Sequence, residues 1–182
     1  NMGTNNLIDS SNFLNKVLEI YELSHIFNIS TNKIDFLICK EAYIHSIIHY
    51  FDNTISINCF KNDMMIALIK PLTFFFKINS FKFDQKYLDI ENIKLLVPND
   101  NRFKIFKYYK KLLNFNHSEQ ILLMIINNYA HKLYLSNMLK YNDIIPFIMS
   151  EIKKYKDLKK FNSINTIIKF ISLKNKIYKT NV

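Results

Sequence analysis

The sequence predicts an α+β fold in which a mixed α/β domain with a short sheet and a hairpin precedes an all-helical domain. The first hundred residues combine one helix-length apolar period with several short strand-like runs. Two of those runs flank Asp52 and Asn53, a pattern typical of a β-hairpin. From residue 101 onward the apolar residues recur at helical spacing. We therefore expect a mixed domain over residues 1–114 and a helical domain over residues 115–182.

The composition is that of a globular protein without disulfides. The chain has 182 residues, of which 49 % are hydrophobic and 22 % charged, enough for one domain or a domain with a small appendix. Its two cysteines, Cys39 and Cys59, are too few for a disulfide framework, so we expect a reducing compartment. No stretch approaches the ~20 uncharged apolar residues that a membrane span needs, so we expect no membrane partner.

The net charge of +10 would ordinarily suggest a phosphate-rich partner such as nucleic acid. However, the chain has one Gly, three Pro and no Trp, while residues with AT-rich codons are abundant. Its lysines are scattered along the chain and its single arginine is Arg102. Codon bias explains the charge better than nucleic-acid binding does, so we do not expect a nucleic-acid partner.

The first predicted helix begins near Ser10 and reaches about Phe27. Asp9, Ser10 and Ser11 are candidates for its N-cap. The apolar residues that follow recur on one face: Phe13, Leu14, Val17, Leu18 and Tyr21. We expect this face to pack on a sheet that contains the hairpin.

The middle of the chain predicts strands and one short helix. Residues 34–39 form an apolar run typical of a buried strand, and residues 45–60 predict a hairpin with a two-residue turn at Asp52 and Asn53. A short helix follows Asp63 and ends near Pro71. The runs at residues 81–83 and 92–97 predict two further strands.

The C-terminal part predicts four helical segments, at residues 102–113, 118–135, 143–155 and 165–178. Ser118 is the candidate cap of the second segment. Pro146 lies near the start of the third, where a missing backbone N–H is tolerated.

A polar stripe lies opposite the apolar face of the first predicted helix. Residues three or four apart share a face, which groups Asn12, Asn15, Lys16 and Glu19. A helix start near Ser10 suits an anion, and Ser10, Asn15 and Lys16 can bind a phosphate monoester. Glu19 would repel that phosphate unless it binds a divalent cation held by the same ligand. The alternative is a solvated face with a Lys16–Glu19 surface pair, and spacing alone favours it.

The same stretch resembles 1-deoxy-D-xylulose 5-phosphate reductoisomerase, whose pattern is W-x-M-G-x-K-I-x-[IV]-[DN]-S-A-T-x-M-N-K-x-L-E. The matching residues, without a gap, are Met2-Gly3, Leu7-Ile8-Asp9-Ser10, Asn15-Lys16 and Leu18-Glu19. Weaker matches follow at Phe27-Asn28, Ile44-His45-Ser46 and Asp63-Met64. The resemblance spans about residues 1–155 and is specific in the first twenty.

The resemblance implies a role for each matched residue. Ser10, Asn15 and Lys16 would hold the substrate phosphate, and Glu19 would contact the substrate and bind the catalytic Mg²⁺ or Mn²⁺. Gly3, the only glycine of the chain, would lie beside the nicotinamide of NADPH. A glycine there fits a need for close approach or for positive φ. The implied reaction rearranges 1-deoxy-D-xylulose 5-phosphate and reduces it to 2-C-methyl-D-erythritol 4-phosphate in the non-mevalonate isoprenoid pathway.

The sequence also departs from the family pattern. The family's NADPH-binding domain, its two other metal carboxylates and the Trp and His of its lid have no counterpart here. We therefore expect a piece of a longer polypeptide, or a partner that supplies the cofactor domain in cis or in trans. The resemblance further implies a homodimer located in the bacterial cytoplasm, or in the plastid or apicoplast matrix of a eukaryote.

Two other functions remain open at this point. One is a catalytically inactive, truncated homologue that acts as a dimerising structural module. The other is a basic helical RNA-binding protein, in which residues 107–113 could stack on bases. The remaining histidines suggest no further site: His45 and His49 lie on a predicted strand, and His25, His117 and His131 are isolated and interpreted as structural.

Overall fold

The computed structural model describes residues 3–77, 92–98, 103–155 and 163–180, with side chains up to residue 174 in the last range. The predicted α+β class is confirmed. The chain divides into two compact units. Unit 1 comprises Asn1–Asp35 and Asn99–Val182, and unit 2 comprises Phe36–Pro98.

Unit 1 is helical in its described residues. Its helices are α1 (Thr4–Ser11), α2 (Leu14–Phe27), α4 (Tyr109–Leu113), α5 (His117–Leu135), α6 (Ile144–Lys153) and α7 (Ile164–Thr180). Helix α5 packs against α1, α6 and α7, while α2 packs against α1 and α4. One apolar cluster fills the unit, and its most buried members include Leu14, Leu112, Leu122, Ile126 and Ile148. The buried face of α2 therefore packs on helices of this unit, where we had predicted a sheet.

The prediction of one helix beginning at Ser10 is wrong, because the chain breaks between α1 and α2. Phe13 adopts a left-handed conformation with φ 64° and ψ 8°, which interrupts the helix. The Phe13 ring packs edge-on against Phe103, with 4.8 Å between the centroids. Asn12 is buried, and its Oδ1 accepts a hydrogen bond of 2.9 Å from the backbone N–H of Leu14. Ser10 thus lies in the last turn of α1 and is not an N-cap.

Helix α5 begins at His117, one residue before the predicted segment, and its N-cap is Asn116 and not Ser118. The Asn116 side chain accepts hydrogen bonds from the backbone N–H groups of Ser118 and Glu119, at 2.9 and 3.1 Å. The Glu119 carboxylate accepts in return from the backbone N–H of Asn116 at 2.9 Å, which completes a capping box. Ser118 is instead 1 % exposed and lies inside the first turn.

Other features of the C-terminal part follow the sequence more closely. Pro146 lies in the first turn of α6, as predicted. The segment predicted as a helix at residues 102–113 contains a 3-10 turn at Lys104–Lys107 followed by the short helix α4. Another 3-10 turn, Tyr141–Asp143, precedes α6. The predicted domain boundary between residues 114 and 115 falls inside unit 1, where Leu112 and Phe115 share one cluster with Leu122. As a division into domains it stays a prediction.

Unit 2 contains the predicted hairpin. Strands β2 (Ile44–His49) and β3 (Ile55–Cys59) pair antiparallel, with His49 opposite Ile55 and Ile47 opposite Ile57. The turn has three residues and not two, because the backbone N–H of Tyr50 still pairs with the carbonyl of Thr54 at 3.0 Å. Asn53 supplies the left-handed position with φ 65°. Asp52 fixes the turn by accepting hydrogen bonds from the Thr54 N–H and hydroxyl, at 2.9 and 2.7 Å.

The other elements of unit 2 differ from expectation in length. The predicted buried strand at residues 34–39 is reduced to β1 (Ile38–Cys39), which is half-buried and pairs with β4 (Leu95–Leu96). Helix α3 (Met64–Phe76) continues past Pro71, so the predicted end is wrong. It begins at the Asp63 side chain, which accepts from the N–H of Met65, and ends where Lys77 turns left-handed. The predicted strand at residues 81–83 lies outside the described residues.

None of the helices in the described ranges is both long enough and apolar enough to cross a membrane.

Candidate functional site

The polar stripe predicted on the first helix exists on the first two turns of α2. Asn15, Lys16 and Glu19 lie three or four residues apart, so their side chains converge on one face. The Glu19 carboxylate accepts from Lys16 Nζ at 2.6 and 2.8 Å and from Asn15 Nδ2 at 2.5 Å. The side chains of Lys16 and Glu19 are each 42 % exposed. The three groups are therefore within reach of solvent and of a ligand.

Ser10 and Asn12 occupy different positions from those predicted. Ser10 precedes the break between the helices and is half-buried in the last turn of α1. Asn12 is 6 % exposed and accepts from the backbone N–H of Leu14, so it does not belong to the exposed stripe. Ser10 lies four residues before the first residue of α2, and the N–H groups and positive dipole end at the start of that helix favour an anion.

The site holds one ion pair, between Lys16 and Glu19. The Lys16 ammonium is neutralised by Glu19, as it would be in an exposed surface pair. The same two groups can instead bind the two ends of a ligand that carries both an anion and a cation. Lys16 and Asn15 would then donate to a phosphate, and Glu19 would bind the metal. The geometry is common to both accounts, so ligand binding has to decide between them.

The residues fit a divalent metal in part. Glu19 offers one partly exposed carboxylate of the kind that Mg²⁺ prefers. Within the ranges that the structure describes, no group of three His, Cys, Asp or Glu side chains is arranged to hold a metal. Glu19 can therefore contribute one ligand, and the ligand molecule or residues outside these ranges would have to provide the others.

Gly3 does not have the backbone conformation that we expected. It precedes α1 with φ −62° and ψ 153°, an extended conformation open to any residue, so of the two expected reasons for a glycine, positive φ does not apply. A Cβ built on Gly3 meets no atom within 4 Å. Neither backbone strain nor crowding by the described residues requires a glycine at this position.

A buried polar network lies directly behind Ser10, and sequence reasoning missed it. The Asp9 carboxylate accepts from Asn127 Nδ2 through both oxygens, at 3.0 and 2.9 Å, and His131 Nε2 lies 2.8 Å from Asp9 Oδ1. All three residues are at most 6 % exposed. Asp9, one of three N-cap candidates, is not an N-cap, and His131 is not isolated, although its burial agrees with the structural role we expected. The one available signal was the spacing of Asn127 and His131, which puts both on one face of α5.

His45, one of the two histidines on β2, has a packing role. His45 stacks on Phe60 with 3.7 Å between the centroids and 13° between the planes. Its Nε2 lies 3.1 Å from the Phe60 carbonyl oxygen.

Comparison with known proteins identifies relatives along nearly the whole chain. No protein-family model matches. The 1-deoxy-D-xylulose 5-phosphate reductoisomerase of Pelagibacter ubique is 30 % identical over 95 % of this chain and 46 % of that relative. The apicoplastic reductoisomerase of Plasmodium falciparum is 29 % identical over 87 % of this chain and 32 % of that relative.

Solved structures share the fold. A reductoisomerase crystallised with fosmidomycin and magnesium superposes with a TM-score of 0.80 at 21 % identity, covering 99 % of this chain and 47 % of that one. The Zymomonas mobilis reductoisomerase with NADPH gives a TM-score of 0.78 at 19 % identity, over 95 % of this chain and 46 % of that one. The chain spans about half the length of the first curated relatives it matches. In sequence and in fold, then, nearly the whole of this chain resembles 1-deoxy-D-xylulose 5-phosphate reductoisomerase, as the first twenty residues predicted.

Proposed function

We propose that the chain is part of a 1-deoxy-D-xylulose 5-phosphate reductoisomerase. The complete enzyme converts 1-deoxy-D-xylulose 5-phosphate to 2-C-methyl-D-erythritol 4-phosphate with NADPH and a divalent metal, in the non-mevalonate isoprenoid pathway. The observation that carries the proposal is the 30 % identity to the Pelagibacter reductoisomerase over 95 % of this chain. The convergence of Asn15, Lys16 and Glu19 on α2 supports it from the chemistry of the site.

The phosphate end of the substrate binds at the α1–α2 junction in this proposal. Lys16 contributes a full positive charge and Asn15 an amide donor, both on the first turn of α2. Ser10 contributes its hydroxyl from the last turn of α1. All three side chains would donate to an ionised phosphate, but only Lys16 also carries a positive charge, so it gives the largest single contribution.

The reacting end of the substrate lies toward Glu19 in this proposal. Glu19 provides one oxygen ligand to Mg²⁺ or Mn²⁺, and the bound cation supplies Lewis-acid polarisation of adjacent substrate oxygens. With a cation bound, the Glu19 carboxylate would no longer repel a phosphate held one helical turn away by Lys16 and Asn15. Gly3 lies on the NADPH side, where its open surroundings leave room for a cofactor.

The proposed enzyme needs parts that the described residues do not contain. A dinucleotide-binding domain has to join this chain in cis or in trans, and the further metal carboxylates come with it. We also propose that the protein forms a homodimer, as the resemblance implies. Its location would be the cytoplasm of a bacterium or the matrix of a plastid or apicoplast, since the relatives include bacterial and apicoplastic enzymes.

A ligand titration tests the proposal on the chain itself. The ¹⁵N-labelled 182-residue protein is titrated with fosmidomycin in the presence of Mg²⁺, and the backbone amide resonances are followed. The expected result is saturable shifts at Ser10, Asn15, Lys16 and Glu19, larger with Mg²⁺ than without it. A titration that leaves these four amides unmoved while fosmidomycin is present at millimolar concentration would contradict the proposed site.

A further inference from the structure

The network behind Ser10 is not accounted for by the proposed ligand contacts. Asp9, Asn127 and His131 are 6 %, 3 % and 1 % exposed, so no ligand reaches them. Asp9 directly precedes Ser10 and belongs to the last turn of α1, whereas its two partners lie on α5. The network therefore joins the site-bearing turn to the longest helix of unit 1 in its described residues.

Stability alone does not explain a carboxylate at this position. Burying a charge costs free energy, and apolar side chains of similar volume are often as stable as a buried polar group with its partners. In addition, Asn127 Oδ1 and His131 Nδ1 are buried without a hydrogen-bond partner among the described residues. An apolar trio would avoid that cost. The network instead fixes an orientation. Three hydrogen bonds to the Asp9 carboxylate hold the last turn of α1 in one rotation relative to α5.

A second contact braces the same turn from another side. The Tyr141 hydroxyl, in the 3-10 turn before α6, donates to Ser11 Oγ at 2.9 Å. Ser11 Oγ in turn donates to the carbonyl oxygen of Ile8 at 2.7 Å. Ser10 thus lies between Asp9, held by α5, and Ser11, held by the turn before α6.

We propose that Asp9, Asn127 and His131 form a tether that fixes the last turn of α1 against α5, with Asp9 as the positioning residue for Ser10 in the phosphate site. The α1–α2 junction follows directly, so the tether also sets where the first turn of α2 presents Asn15 and Lys16. The positioning part of this inference rests on the proposed phosphate site. The mechanical part rests on the network alone.

Two variants of His131 separate the effect of its hydrogen bond to Asp9 from the effect of the volume that its side chain fills. His131→Leu removes the donor to Asp9, whereas His131→Gln keeps an N–H donor at the reach of Nε2. In His131→Leu, native-state amide exchange should accelerate at least about tenfold, equivalent to about 1.4 kcal/mol, over residues 8–16. Exchange in the central turns of α5 and α6 should change less. His131→Gln should exchange like the wild type over residues 8–16.

Tyr21→Phe is the matched control for a general loss of stability. It removes a buried hydrogen bond of 2.6 Å from the Tyr21 hydroxyl to the Leu112 carbonyl and leaves the tether intact. This variant should accelerate exchange in the helices of unit 1 alike. Should His131→Leu give the same uniform pattern, the tether is overturned.

Tyr141→Phe provides a test that does not depend on tolerance of a core substitution. Tyr141 is 37 % exposed, so loss of its hydroxyl leaves the core unchanged. Its expected result is faster exchange confined to residues 8–16, smaller than in His131→Leu. Unchanged exchange there would remove the second brace from the proposal.

Inorganic phosphate probes the positioning role. The wild-type protein should show phosphate-dependent shifts at Ser10 and Lys16, and the dissociation constant should rise about tenfold in His131→Leu but stay unchanged in His131→Gln and Tyr21→Phe. Equal affinity in His131→Leu, with faster local exchange, overturns the positioning role and leaves a mechanical tether. A wild-type protein without phosphate-dependent shifts overturns the proposed phosphate site and the positioning role together, while the exchange data still decide the tether.

Discussion

Lys16 and Glu19 provide the sharpest test of the proposed site, because the two accounts of their contact predict opposite behaviour. Lys16→Ala removes one charge-assisted hydrogen bond to the phosphate, worth about 1.5–3 kcal/mol. The Lys16 side chain is 42 % exposed, which puts the expected loss at the lower end, about 1.5 kcal/mol or roughly tenfold in affinity for fosmidomycin. Glu19→Gln keeps the side chain's size and removes its charge.

The charge change at Glu19 has a signature that depends on the metal. Without Mg²⁺, Glu19→Gln removes a negative charge that repels the ligand and competes for Lys16, so affinity for inorganic phosphate should rise. With Mg²⁺, the same variant loses a metal ligand, so affinity for fosmidomycin should fall and more Mg²⁺ should be required. Isothermal titration calorimetry with and without Mg²⁺ measures both effects on one protein preparation.

The chain offers a matched control for the surface-pair account. Glu151, on α6, and Lys154, the C-cap of that helix, form another glutamate–lysine pair three residues apart, in the opposite order along the chain. If Lys16 and Glu19 form only such a pair, their contact is worth about 0.3–0.5 kcal/mol. Lys16→Ala and Lys154→Ala would then give equally small losses in urea unfolding and leave ligand affinity unchanged. That result would refute the functional interpretation of the stripe.

Three further predictions concern activity and stability. The 182-residue chain alone should not oxidise NADPH with 1-deoxy-D-xylulose 5-phosphate, because Glu19 is one metal carboxylate and the described residues contain no dinucleotide fold; turnover by a contaminant-free preparation would contradict this. Asn116→Ala should lower the free energy of unfolding in urea by about 1 kcal/mol, because the capping box of α5 loses its acceptor, and no change in midpoint would rule out that role. Burial, with the charge of Glu119, raises the pKa of the Tyr21 hydroxyl, so the stability it contributes is present below roughly pH 10 and is lost as the pH rises from there toward the raised folded pKa. Urea titrations between neutral and alkaline pH should show a shallower decline in Tyr21→Phe.

The sequence by itself determined the features that depend on neighbouring residues. The hairpin followed from alternation around Asp52 and Asn53, since side chains alternate between faces at every residue of a strand. The grouping of Asn15, Lys16 and Glu19 followed from helical spacing, which holds wherever α2 begins. The same local pattern carried the resemblance that relatives along nearly the whole chain then supported.

Only the tertiary structure decided where α1 ends and what lies behind it. Local pattern favoured one helix through Asn12 and Phe13, but burial of Asn12 and packing of Phe13 on Phe103 outweigh the strain of a left-handed residue. Asp9 bonds to partners 118 and 122 residues further along the chain, and helical or strand periodicity predicts no contact over such a separation. Whether a carboxylate caps a helix, binds a cation or joins two helices depends on which donors the fold brings to it, because its own chemistry is the same in all three places.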